Sequence, residues 1–314
     1  MTLFETASKY VFENFYKQPY YHSRNHIIEM LGELDVLKLH EADTEVLSMA
    51  ILFHDCVYDP RQSNNEEESI KRYEWFMTLE GLEPDSLVVD CINATKHHTI
   101  TGNVLTDIMI NLDISVLKKP LNDLIKYENG IFKEYQFVDI EIYRNKRIEF
   151  LYNISQKHNL PHVPELIEYI SNKIYKIGIY PGSFSPFHIG HFNIVRKAEA
   201  MFDKVIIARG INPDKEQEKE SIPESLLNEV VIYDGLITEL FQKVHNVEFF
   251  FVRGLRNVHD IGYEDNLRKT VLDINDKIQF VYFFCDKHLE HISSSQIRGL
   301  RKFNPEFAER YLLK

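Results

Sequence analysis

From Thr2 to about Asn172 the apolar residues recur at intervals of three and four. Leu47, Ala50, Ile51 and His54 fall on one helical face, and His26, Met30, Leu34 and Leu37 on another. This half of the chain is expected to be all-helical. From about Ile174 the texture changes to short β-branched and aromatic runs, "KIGIY", "KVIIA", "EVVIY", "VEFFFV" and "IQFVYFF", separated by stretches of helical period. Continuously apolar strands alternating with helices predict a parallel sheet covered on both faces. The chain is therefore read as multi-domain: an all-α domain over 1–173 and an α/β, Rossmann-like parallel-sheet domain over 174–314. The join is "YISNKIYKIGIY", where a helix runs almost directly into the first strand. A charged stretch, "NPDKEQEKES", is expected to be an exposed loop.

Composition narrows the class. A chain of 314 residues with 44% hydrophobic content can bury two cores. Its 36 Lys and Arg stand against 48 Asp and Glu, a formal net charge of −12, which disfavours attraction to a nucleic-acid backbone or an anionic membrane. Cys56, Cys91 and Cys285 are odd in number and widely spaced, without the pairing of a disulfide framework or a zinc knuckle. The start, "MTLFETASKYVFENFYK", lacks a basic segment followed by an apolar core, and no run is long enough to span a bilayer. These features predict a soluble, cytoplasmic protein with small-molecule rather than nucleic-acid or membrane partners.

The second half carries one stretch rich in chemistry, "YPGSFSPFHIGH". With "KIGIY" as a strand, "PGSFSPF" is the loop at its carboxyl end and "IGHFNIVRKAEAMF" the next helix, which is where open α/β sheets bind ligands. Gly182 and Gly190 would let the backbone approach a ligand, the helix start offers N–H groups to phosphate, and His188 and His191, three apart, keep their rings on one side.

The pieces "YPGSFSPFHIGH", "MFDKVIIA", "NPDK", "VRGLRNVHDIGYE" and "ISSSQIR" occur in the order found in the HxGH nucleotidylyltransferase superfamily. From about Lys176 to Lys302 the chain most closely resembles its phosphopantetheine adenylyltransferases. The resemblance implies an acceptor phosphate attacking the α-phosphate of ATP in line and expelling pyrophosphate, with positioning and charge neutralisation as the protein's work. His188, His191, Lys215 and Arg298 would be catalytic. Ser183, Phe184, Gly190, Arg256, Glu264, Ser293, Ser294 and Ser295 would bind nucleotide, with Glu264 facing the ribose or adenine. Ser183, Lys215 and Arg253 would bind the acceptor. Mg²⁺ would enter with ATP, and the family's habit of assembly implies a homo-oligomer. Two departures mark the acceptor side: His188 stands where phosphopantetheine members usually carry Thr, and the stretch between Lys215 and Arg253 is shorter. Nicotinamide or nicotinate mononucleotide is accordingly the alternative acceptor.

The first half raises a different chemistry. "FHDCVYD" places His54 and Asp55 at the end of an apolar helix, "INLDISVL" sets Asp113 in an apolar run, and His26 lies on an inward face. Buried carboxylates are costly unless paired or metal-bound, and nitrogen and oxygen ligands from separated helices suit a divalent cation. With "YYHSRNHIIEML", "NNEEES" and "ATKHH", these segments resemble the HD-superfamily predicted metal-dependent phosphohydrolases over about residues 10–160. The resemblance implies His26, His54, Asp55 and Asp113 as ligands of a Mn²⁺, Fe²⁺, Co²⁺ or Ni²⁺ type ion. His22, Glu66, Lys96, His97 and His98 are second-tier candidates for phosphate contact or proton transfer. The reading is a bifunctional enzyme, a hydrolase of unknown phosphoester substrate fused to an adenylyltransferase. The alternative makes the helical domain a degenerate regulatory or oligomerisation module.

Overall fold

The computed structural model describes residues 1–17, 20–211 and 222–313. It divides into two units, Met1–Tyr135 with Glu141–Ser171, and Gln136–Ile140 with Asn172–Lys314.

The first unit is helical, as the spacing predicts. Its helices are α1 (Leu3–Asn14), α2 (Arg24–Leu37), α3 (Glu41–Phe53), α4 (Asn65–Leu79), α5 (Ser86–Ala94), α6 (Val104–Asp113), α7 (Leu121–Glu134), α8 (Ile140–Lys157) and α9 (Val163–Asn172). α3 is the centre. Leu47, Met49, Ala50, Ile51, Leu52 and Phe53 are all buried, so its apolar surface runs all round rather than along one stripe. It packs against α1, α2, α5 and α6. Burying each such large side chain contributes about 2 kcal/mol. On α2, His26, Met30 and Leu34 are buried as expected, whereas Leu37 is 45% exposed because the helix ends there with Lys38 in the left-handed region (φ 52°).

The second unit contains the five expected strands, β1 (Tyr175–Gly182), β2 (Lys204–Gly210), β3 (Val230–Tyr233), β4 (Val247–Leu255) and β5 (Gln279–Phe284). All pairings are parallel, in the order β3-β2-β1-β4-β5. Helix α10 (Ile189–Glu199) follows β1, α11 (Val258–Ile274) links β4 to β5, and α12 (Ser294–Phe303) and α13 (Pro305–Ala308) follow β5. Between β3 and β4 there is a single 3₁₀ turn, Ile237–Phe241, in line with the shortened stretch noted above. From β1 the sheet is extended to one side by β2 and to the other by β4, so a crevice opens at the carboxyl ends of β1 and β4.

The two units divide at 171/172 rather than 173/174, and they differ from the expected division in one further respect. Residues 136–140 belong to the second unit. The cause is Lys204, fully buried at the start of β2. Its ammonium donates to the carbonyls of Gln136 (2.8 Å) and Val138 and pairs with Glu229 at 2.7 Å, while the Glu229 amide donates to Gln136 O at 3.0 Å. Three acceptors satisfy the three donors of a buried ammonium. Backbone carbonyls carry no sequence signature, so the strap is invisible to pattern reading. The stretch "NPDKEQEKES" and Lys215 within it lie outside the described residues. No helix among the described residues is long and apolar enough to cross a membrane.

Candidate functional sites

In the second unit the carboxyl ends of β1 and β4 meet the starts of α10, α11 and α12 around a cavity of about 410 Å³. His188 is the N-cap of α10. Its Nδ1 accepts the amides of Gly190 (3.1 Å) and His191 (3.4 Å), and His191 Nδ1 accepts the amide of His188 at 3.3 Å. The two rings stack at 3.7 Å. Because both Nδ1 atoms accept, the ring proton of each neutral histidine is on Nε2. Burial, then the nearby Arg256, pushes His188 down to about 4, and burial with His188 and Arg256 holds His191 well below the usual histidine range. The site thus presents two neutral N–H donors at neutral pH.

The glycines also answer to the protein's own packing. A Cβ on Gly190 would lie 3.0 Å from the His188 ring, and one on Gly182 would lie 2.8 Å from the Phe184 ring. Both make room for the protein's own side chains. Phe184 is 2% exposed and meets His191 edge-on at 5.0 Å, so it walls the histidine in.

Arg253, at the end of β4, is clamped by Glu264 of α11 through two bonds of 2.6 Å and also donates to Pro181 O at 3.0 Å. Arg256 is bound in the same side-on manner by Asp260, at 3.1 and 2.9 Å. Glu264, expected on the ribose or adenine side, has both carboxylate oxygens on Arg253 and is 5% exposed. Asp260 is missed by the sequence reading, although its spacing of four from Glu264 puts both acids on one helical face.

Ser183, Gly190, Arg253, Arg256, Ser293 and Ser294 line the cavity together with the histidines. The α12 serines are occupied locally: Ser293 Oγ caps the helix on Gln296 N, and Ser294 Oγ donates to Pro186 O at 3.0 Å. Ser295 and Arg298 stand behind the lining, where Arg298 bonds Ser295 Oγ at 3.0 Å and the Ser185 carbonyl. What α12 turns to the cavity is its amino-terminal end.

The first unit brings His26, His54, Asp55 and Asp113 together, each offering one atom within 4.8 Å of the others. His54 closes α3 and donates Nδ1–H to Ile51 O at 3.0 Å, which leaves a bare Nε2. That Nε2 lies 3.0 Å from Asp55 Oδ2 and 3.6 Å from Asp113 Oδ1, and His26 Nε2 lies 3.3 Å from Asp113 Oδ1. Both Nε2 atoms are buried and have no hydrogen-bond partner among the described residues. Two unpartnered imidazole nitrogens facing two carboxylates form a donor set that fits a divalent ion. Burial would raise the Asp113 carboxyl, but the three imidazoles around it, His26, His54 and His98, hold it well below the usual range.

The second-tier residues separate. His98 binds the other Asp113 oxygen at 2.8 Å. His22 stacks on Tyr58 at 3.8 Å, and its Nε2 faces Asp55 Oδ2 at 3.9 Å. Lys96 pairs with Glu67 rather than Glu66, and His97 is exposed; among the described bonds and ion pairs none joins Glu66, Lys96 or His97 to the cluster. Glu134 is a further residue that sequence reasoning misses: it holds His22 through Nδ1 at 2.6 Å and through the backbone amide at 2.8 Å. An acid three residues beyond the buried Ile131, on the inner face of α7, is the signal that marks it.

The parallel sheet gathers two histidines and two arginines around a cavity at its switch point, and residues 179–300 match the sequence profile of the cytidylyltransferase-like family. By its C-terminal domain the chain belongs to that family, with phosphopantetheine adenylyltransferases as homologues. The Cytophaga hutchinsonii phosphopantetheine adenylyltransferase is 39% identical over 139 residues, 41% of this chain and 91% of the relative. The Malacoplasma penetrans enzyme of the same name is 37% identical over 142 residues, 42% of this chain and 93% of the relative.

Proposed function

We propose that the C-terminal domain transfers the adenylyl group of ATP to the phosphate of 4′-phosphopantetheine, giving dephospho-CoA and pyrophosphate. An acceptor phosphate oxygen bonds to the α-phosphorus as the bridge to the β-phosphate breaks, so no covalent intermediate with the protein is needed. The observation that carries this is the convergence of His188, His191, Arg253 and Arg256 on one cavity. The neutral Nε2–H groups of the histidines hold the triphosphate without a proton leaving the protein, Arg253 meets the acceptor phosphate and Arg256 the nucleotide. Lys215 would bridge the acceptor and the α-phosphate, and the amides at the start of α12 would serve the β- and γ-phosphates, with Arg298 behind them adding positive charge.

With neutral histidines, the described charges on the cavity wall are Arg253 and Arg256 against Asp260 and Glu264, which cancel. Mg²⁺ carried by ATP would supply the missing positive charge. The names of the relatives support phosphopantetheine as acceptor. Pyrophosphate release measured with ATP, Mg²⁺ and, in separate arms, phosphopantetheine or nicotinate or nicotinamide mononucleotide tests this; turnover only with a mononucleotide would reassign the acceptor.

For the helical domain we infer a metal-dependent phosphohydrolase acting on a phosphoester. The two orphaned histidine nitrogens beside Asp55 and Asp113 support it. A bound Mn²⁺, Fe²⁺, Co²⁺ or Ni²⁺ would supply Lewis acidity toward a phosphate oxygen. His26, His54, Asp55 and Asp113 would hold it, while His98 fixes the Asp113 carboxylate and Glu134 fixes His22. Purified wild type is expected to retain about one divalent ion per chain and His54→Ala far less. Equal metal content in the two would favour the degenerate, regulatory reading of this domain.

A further inference from the structure

An acid in a polyanion site weakens it unless it does something else there, and α11 puts two such acids one turn apart. The guanidinium of Arg253 has five N–H donors in a rigid fork. Nε and Nη2 each spend one on Glu264, and Nη1 spends one on Pro181 O. One N–H remains on Nη1 and one on Nη2. The Nη1–Nη2 edge, opposite the stem, is the end-on fork; Glu264 leaves it open by taking the Nε–Nη2 edge, on a side chain that lines the cavity. Arg256 repeats the arrangement with Asp260, whose Oδ2 also accepts the Arg256 amide at 2.8 Å.

The geometry points to Glu264 and Asp260 as positioning residues that hold Arg253 and Arg256 side-on, so that each arginine offers its end-on fork to one of the two phosphates being joined. The clamp on Arg253 is the tighter: both partners are largely buried, at 17% and 7% side-chain exposure, against 47% and 20% for Arg256 and Asp260. Fixing the acids on one helix face also fixes the spacing of the two arginines, and in-line transfer depends on that spacing because a misplacement of about 1 Å can cost about 100-fold in rate. Burial opposes the charge on Arg253, but the bonds to Glu264 outweigh it and raise its pKa, which keeps the fork protonated.

This rests on the transferase reading, and the test separates the two. Wild-type turnover with ATP and phosphopantetheine judges that reading by itself. The positioning role is judged by a cycle of Glu264→Gln, Arg253→Lys and the double variant, with calorimetric Kd for Mg-ATP measured in each. Glu264→Gln is expected to lower kcat by at least about tenfold and to leave the ATP Kd within about threefold. In the Arg253→Lys background, where there is no fork to aim, it should change kcat by less than about twofold. A tenfold weaker ATP Kd in Glu264→Gln would restore the ligand role and overturn the inference, as would losses that multiply in the double variant. If wild type shows no turnover, the same cycle is read as Kd for inorganic phosphate: an effect of Glu264→Gln that is present in wild type and absent in the Arg253→Lys background supports the clamp, and no effect or an additive one overturns it. Asp260→Asn paired with Arg256→Lys provides a second cycle should Glu264→Gln fail to fold.

Discussion

His188 and His191 show what a residue pattern can and cannot say. Their spacing alone places both rings on one side, and they do stack. Their neutrality is not legible, because it arises from Tyr180, Phe184 and Phe187 packing on His191 and from the buried cap at His188. Since the folded His188 titrates at about 4 against an ordinary 6.5, the unfolded chain takes up a proton between those values that the folded chain resists. Its contribution to stability is therefore complete above about pH 6.5 and lost as pH falls toward 4. In carbon-resolved NMR the Cε1–H signals of both histidines should stay in the neutral form down to about pH 5; a midpoint near 6.5 would contradict the buried, bare-ring assignment. His191→Ala should lower turnover by at least about 100-fold, the scale of losing one preorganised donor, with near-normal rates counting against that role. Glu264 has a plain position in the chain, but only the fold shows that Arg253 takes both of its oxygens.

Among elements, the five strands are readable because each quoted run is rich in β-branched and aromatic residues, although only β1, β2 and the end of β4 are buried while the edge strands β3 and β5 stay half-exposed. α3 is legible as a helix but with one buried face, whereas the surrounding helices bury it on all sides. Glycines separate helix surface from sheet interior in a way that can be measured. On α2, a Cβ at Gly32 would meet nothing within 4 Å, so Gly32→Ala should stabilise the helical domain by up to about 1 kcal/mol through helix propensity. In β1, a Cβ at Gly178 would lie 2.7 Å from the Phe202 ring and 2.8 Å from Val252, so Gly178→Ala should destabilise the C-terminal domain by about 1–3 kcal/mol. Thermal unfolding of the two variants should move in opposite directions, and a shift of the same sign would refute this assignment of their surroundings.

For the whole molecule, the order of domains and their join are legible to within a few residues, but the strap at 136–140 is not. Lys204→Met should cost about 3 kcal/mol or more in the C-terminal unfolding transition, because it leaves Glu229 and two carbonyls buried without their cation. A fragment beginning at 174 should likewise unfold at lower temperature than the same transition in the full chain; equal midpoints would mean that the strap contributes nothing. The helical cluster is legible as four residues and assembles as such, while its supporting Glu134 is not. The central claim is chemical and applies to the C-terminal cavity. The most direct measurement is mass spectrometry of the product formed from ATP, Mg²⁺ and phosphopantetheine, run with wild type and with His191→Ala. The expected result is a product heavier by one adenylyl group, with equimolar pyrophosphate, from wild type and far less of both from the variant. An unchanged acceptor beside wild-type protein that binds ATP would contradict it.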